Sequence, residues 1–194
     1  MITFRKRTLR SPGQFFRLLF SAAGRMMGMR RFRADVRISP QMAERVMLAV
    51  TGVNECLYCT WRHTHDALAK GLDPREIQSL LRGEVEGASE HEAVALAFAQ
   101  HFAESEGRPS AEARRRLVDH YGEPVARQVE AFASVCSFGN LCSNIVEAGR
   151  LGAHSQDGRS CAWLILLLAR PVAWFVRRGV EPAGSTSGES GPEA

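Results

Sequence analysis

Between Asn54 and Ala67 the chain reads NECLYCTWRHTHDA. Cys56 and Cys59 stand three residues apart, and His63 follows four after the second cysteine. On a helix, steps of three and four return to the same side, so the three groups fall within roughly 60° of arc. Cys59 and His63 become i,i+4 neighbours, in reach of a thiol–imidazole hydrogen bond. Cys56 lies in the first turn, where the macrodipole and free N–H groups favour an anion. Both influences lower a thiol pKa from its ordinary value of about 8.5, and the thiolate is the nucleophile. The imidazole favours Cys59 and the helix start favours Cys56, so which sulfur attacks first stays open.

Two other chemistries fit less well. A tetrahedral zinc site needs four converging ligands. The tempting fourth, His65, points roughly 200° away from His63 on the same helix, so no metal is expected. Covalent haem attachment needs histidine directly after the second cysteine, and Thr60 stands there. The plain alternative is that Cys56 and Cys59 are small core residues and His63 a satisfied core histidine. Glu44 stands twelve residues before Cys56, on the preceding helix.

The elements that must hold these groups read as helices throughout. Gln41–Val50 is periodic and ends near Gly52. Asn54 has the character of an N-cap for a helix reaching Lys70, with Gly71 just beyond. Asp73-Pro74 opens the next, closed by Gly83. Ser89 to Glu92 has capping-box form and opens a helix to about Glu104. Ser110 caps another that ends before Gly122. Glu123 to about Leu151 reads as one long helix, with Gly139 inside it marking a bend or a close helix contact. No run alternates with period two between turn residues, so the expected class is all-α, a compact multi-helix domain with the dithiol at a helix start.

The 194 residues suit one domain with a sizeable core. Charge is unevenly divided. Residues 1–33 hold nine Lys/Arg and no Asp/Glu, whereas residues 34–158 hold twelve basic and eighteen acidic residues. The expected layout is a basic N-terminal arm (1–33), the helical domain (34–158), an apolar segment (159–179) and a disordered Gly/Ser/Pro/Glu-rich tail (180–194). An acidic body argues against nucleic-acid binding. Within the arm, Phe15, Leu18, Leu19, Ala22 and Met26 make a rough apolar stripe. Two readings compete for it: a membrane-surface helix, or an arm docked on the body or on a neighbouring subunit. CAWLILLLARPVAWFV, 161–176, is interrupted by Arg170-Pro171 and falls short of a full bilayer span. Five cysteines in no regular framework, and no Sec-type signal, point to the cytoplasm, with membrane association through the termini as a further expectation. Cys136 and Cys142 read as buried thiols, and Arg114 to Arg116 as a solvated helix face. Asn140 and Asn144 read as interior hydrogen-bonding residues or as surface ones. His91, His101, His120 and His154 show no partner pattern.

Glu44, Cys56, Cys59 and His63 together resemble the Glu-x11-Cys-x-x-Cys-x3-His signature of the alkylhydroperoxidase D-like branch of the carboxymuconolactone decarboxylase family. The resemblance takes in roughly Asp35 to Leu151, including Gly139-Asn140 and Asn144. It implies an all-α fold assembled as a trimer or hexamer, and peroxidase or disulfide reductase activity at the dithiol. It further implies that Cys59 attacks peroxide, Cys56 resolves the sulfenic acid, His63 takes the thiol proton and Glu44 holds His63. No cofactor is implied; the partners would be a peroxide or disulfide substrate and an external thiol or lipoyl electron donor. Tyr58 departs from the better-known peroxidases, which carry histidine there; a phenol of pKa about 10 donates hydrogen bonds but does not shuttle protons at neutral pH. The decarboxylase branch generally lacks the cysteine pair. Two other functions remain in view: a non-catalytic, membrane-proximal interaction protein on the same fold, and a lyase using Glu44 and His63 as acid and base.

Overall fold

A computed structural model describes residues 6–31, 38–84 and 88–150. The expected apolar segment 159–179, the tail 180–194, His154 and Cys161 lie outside the described residues. Those described form seven helices: α1 Pro12–Arg31, α2 Pro40–Asn54, α3 Leu57–Ala69, α4 Pro74–Leu81, α5 Glu90–Glu104, α6 Ala111–Tyr121 and α7 Glu123–Arg150. No strand occurs among the described residues, so the all-α expectation holds.

Most helix starts follow their local chemistry. Ser39 accepts from the Met42 N–H at 3.0 Å, Asp73 from the Arg75 N–H at 2.7 Å and Ser110 from the Ala113 N–H at 3.1 Å. Ser89 differs from the capping-box expectation: its hydroxyl donates to Glu92 at 2.9 Å and takes no backbone N–H. The largest difference is at the dithiol. Asn54 is the last residue of α2, and α3 begins only at Leu57. Between them Glu55 adopts a left-handed conformation, φ 53°, and its N–H closes on the Thr51 carbonyl at 2.9 Å. That turn lets α2 run past Gly52, where the chain alone suggested an end. Gly52 is needed for a different reason: a Cβ there would sit 2.7 Å from the Leu81 carbonyl oxygen, so α2 meets the end of α4 backbone to side-chain-free backbone.

The main core joins α2, α5 and α7. Val46, Leu48 and Val50 from α2 meet Leu96, Phe98 and Phe102 from α5 and Val129 and Ala133 from α7, with Ile77, Leu80 and Leu117 closing the edges. Gly139 makes no close helix contact, since nothing lies within 4 Å of where its Cβ would stand, and α7 continues through it. Among the described residues α7 alone is long and apolar enough to cross a membrane, yet 61% of that window is buried inside the protein, as befits a core helix.

The basic arm is docked on the body. Leu9, Phe15 and Leu18 pack with Leu141 and Ile145 of α7 in a second apolar cluster. Its cations turn towards the acidic body: Lys6 pairs with Glu147 at 2.6 Å, Arg10 with Glu106 at 3.2 Å and Arg25 with Glu130 at 3.8 Å. Arg7 donates to the carbonyls of Ala103 and Glu104 at 3.1 and 3.2 Å, where the end of α5 presents its negative pole. Thus the charge asymmetry of the sequence serves an internal contact. Arg114 is likewise more than a solvated residue, reaching buried Glu130 at 2.8 Å.

Candidate active site

Cys56 is the N-cap of α3, with φ −80° and ψ 107°. It therefore stands just off the helix, and the shared-face argument applies to Cys59 and His63 alone. Its sulfur accepts from the Cys59 N–H at 3.3 Å, as a capping side chain does. The two cysteines form a disulfide, with Cα atoms 5.3 Å apart. Cys56 is fully buried and Cys59 is 7% exposed, so an incoming group meets Cys59 first.

Around His63, α2 and α7 supply buried polar residues. Glu44, 3% exposed, accepts from His63 Nδ1 at 3.0 Å and from the Lys70 ammonium. Burial pushes the Glu44 carboxyl up, but hydrogen bonds from His63 and Lys70 outweigh it and hold the group below its ordinary value. Burial likewise pulls His63 down, but its hydrogen bonds to Cys136 and Glu44 and the electrostatic attraction between the ring and these two groups raise it to about 9. At neutral pH the site thus holds a carboxylate facing an imidazolium. Asp66 comes near enough to Glu44 and His63 for their ligand-type atoms to lie within 4.8 Å of one another. Arg62 and Lys70 already occupy the two carboxylates, which makes the cluster an ion-pair network.

With Cys59 closed in the disulfide, the His63 ring is bonded elsewhere. Its Nε2 lies 3.8 Å from Cys136 Sγ on α7, and among the described residues neither sulfur of the pair is hydrogen-bonded to the ring. Cys136 is therefore no bystander, whereas Cys142 is one: burial pushes its thiol up to about 12. Asn140 donates to Thr51 Oγ1 at 3.2 Å, and Asn144 donates to the Asn54 carbonyl at 2.8 Å. Both are buried, so the interior reading of the two asparagines is the one observed, and Asn144 ties α7 to the turn that carries Cys56. Tyr58 is not gathered among these residues. It is 63% exposed, with its ring 6.2 Å from that of Trp61.

Sequence reasoning missed Cys136, Thr51 and Lys70. Lys70 stands seven residues after His63, two helical turns on, which could have placed it beside Glu44. Cys136 carried no such signal. Elsewhere His91, His120 and Tyr121 form an aromatic cluster, with centroids 4.6 to 5.2 Å apart, and His101 accepts from the Ser110 N–H at 3.1 Å. These contacts are far in sequence from the dithiol and suit α5–α6 packing.

No curated protein and no solved structure matches the chain. Residues 19–101 match the sequence model of the carboxymuconolactone decarboxylase family. The match starts inside α1, earlier than the resemblance had suggested, and takes in Glu44, Cys56, Cys59 and His63 but stops short of α7. Over these residues the chain is similar to the carboxymuconolactone decarboxylase family, which includes alkylhydroperoxidase D-like proteins.

Proposed function

We propose that this protein is a cysteine-dependent peroxidase and thiol–disulfide oxidoreductase working through Cys56 and Cys59. The observation that carries this is the disulfide at the start of α3, one helical turn before His63, which pairs with buried Glu44. In the reduced enzyme the Cys59 thiolate attacks the peroxide O–O bond, forming Cys59 sulfenic acid and releasing an alcohol or water. The Cys56 thiol then displaces water from that sulfenic acid and closes the disulfide. An external dithiol, of the lipoyl or thioredoxin kind, attacks Cys59, the more accessible of the two, and expels Cys56 as a thiolate, and a second attack frees Cys59 and leaves the donor oxidised. His63, charged when the disulfide is closed, supplies a proton to a departing sulfur and recovers it from the thiol in the next turnover. Glu44 keeps that proton favourable on the ring.

Exposed Leu57, Tyr58 and Trp61 beside the pair support assembly with further copies of the chain, the trimer or hexamer that the family resemblance implies. The test is consumption of hydrogen peroxide and an alkyl hydroperoxide with dihydrolipoamide as donor. Cys59→Ser should abolish turnover, and Cys56→Ser should allow one equivalent of peroxide to react and then stop. Undiminished turnover in Cys59→Ser would dismiss the reading, and activity that also survives thiol alkylation would favour a Glu44–His63 lyase.

A further inference from the structure

We propose that Cys136 is a positioning residue of the dithiol site, its sulfur holding Nε2 of His63 while Glu44 holds Nδ1. The thiol sits where α2, α3 and α7 meet. Four polar atoms surround it: Met47 O at 3.3 Å, Thr51 Oγ1 at 3.4 Å, Asn140 Oδ1 at 3.7 Å and His63 Nε2 at 3.8 Å. A cysteine that merely fills a core is surrounded by carbon. Here the sulfur continues a chain of hydrogen bonds running from Asn140 through Thr51, Cys136, His63 and Glu44 to Lys70.

The two clamps define what the ring can do. An imidazole gripped at both nitrogens has its orientation and its proton fixed, as for a base oriented by a third group. While the disulfide is closed, both nitrogens are engaged away from it. Once Cys59 is reduced, its thiol stands one turn before His63 and competes with Cys136 for Nε2. Cys136 thus holds the ring ready between turnovers and sets the pH at which it gives up its proton. The other charged groups near the ring are Glu44 on α2, Asp66 on α3 and Lys70 at the end of α3. Among the described residues α4 places no charged side chain in contact with it.

The proposal deepens the dithiol reading and rests on it for turnover, but the titration of His63 needs no turnover at all. The experiment follows the His63 Cε1–H resonance against pH in the full chain with the disulfide closed, for the wild type, Cys136→Ala and Cys136→Ser. The wild-type midpoint is expected near about 9. Cys136→Ala should lower it by about one unit or more, the usual effect of losing one close partner. Cys136→Ser keeps a hydrogen-bonding atom in place and should fall between the two. The alkaline limb of peroxide turnover should move with the midpoint, which loss of packing alone would not cause. A His63 midpoint equal in all three proteins would overturn the proposal. If Cys136→Ala fails to fold, the Cys136→Ser midpoint decides in the same way. Absence of turnover with a shifted midpoint would instead discard the peroxidase reading and leave the role of Cys136 standing.

Discussion

Replacing His63 with glutamine should cost stability in neutral and mildly acidic solution and almost none in alkali. The folded protein holds the imidazole proton to about 9, against 6.5 for an unconstrained histidine. A group whose pKa rises on folding stabilises fully below its unfolded pKa, and that contribution disappears as pH climbs through its folded pKa. The window therefore opens at about 6.5 and closes at about 9. At 1.36 kcal/mol per unit, a rise of this size corresponds to about 3 kcal/mol. Glu44 behaves in the opposite sense: its pKa is lowered, so its contribution is present above its unfolded value and lost as pH falls through the folded one. The assay is urea unfolding of oxidised wild type and His63→Gln at about pH 6 and pH 10, comparing the two proteins at each pH so that other titrating groups cancel. The wild-type advantage should be larger at the lower pH by about 3 kcal/mol. An advantage equal at both would mean that His63 has the same pKa folded as unfolded, and the Glu44–His63 ion pair would have to be abandoned.

Two packing predictions concern the scaffold. Gly52→Ala forces a methyl to 2.7 Å from the Leu81 carbonyl, so α2 and α4 must separate; a loss of about 1–3 kcal/mol is expected in urea unfolding. Leu18→Ala empties a fully buried position between α1 and α7, which should cost about 2–5 kcal/mol and open the arm to trypsin at Arg17 and Arg25 before the body is cut.

Helices were legible because their punctuation is local. Ser39-Pro40, Asp73-Pro74 and Ser110 each carry a cap within three residues of the first turn, and the core stripes of α2 and α5 recur at helical spacing. The errors came where tertiary contact overrode that punctuation. Asn54 is a fine N-cap in isolation, but Asn144 reaches across to its backbone carbonyl and Glu55 absorbs the turn instead. Gly52 reads as a stop, although its missing side chain serves the approach of α4. The basic arm looked as suited to anionic lipid as to protein, because a count of arginines does not say where the opposing carboxylates lie. Glu106, Glu130 and Glu147, roughly a hundred residues onward, decide it.

The site was legible only along the stretch that could be read continuously. Glu44, Cys56, Cys59 and His63 lie within twenty residues, so helical spacing brought three of them together and a family resemblance supplied the fourth. Spacing also paired His63 with Cys59, since both occupy one helix and nothing nearer in sequence offers a better partner. A helix, however, presents its face to another helix, and what stands on that other helix competes for the same ring. Here α7 brings Cys136 to Nε2, seventy-three residues from His63 in sequence. The region that matches the family ends at residue 101, before α7 begins. The part of the site set by short spacing is thus the cysteine pair and the Glu44–His63 contact. The part set by long-range packing is what holds the far side of the His63 ring, and this chain places a third sulfur there.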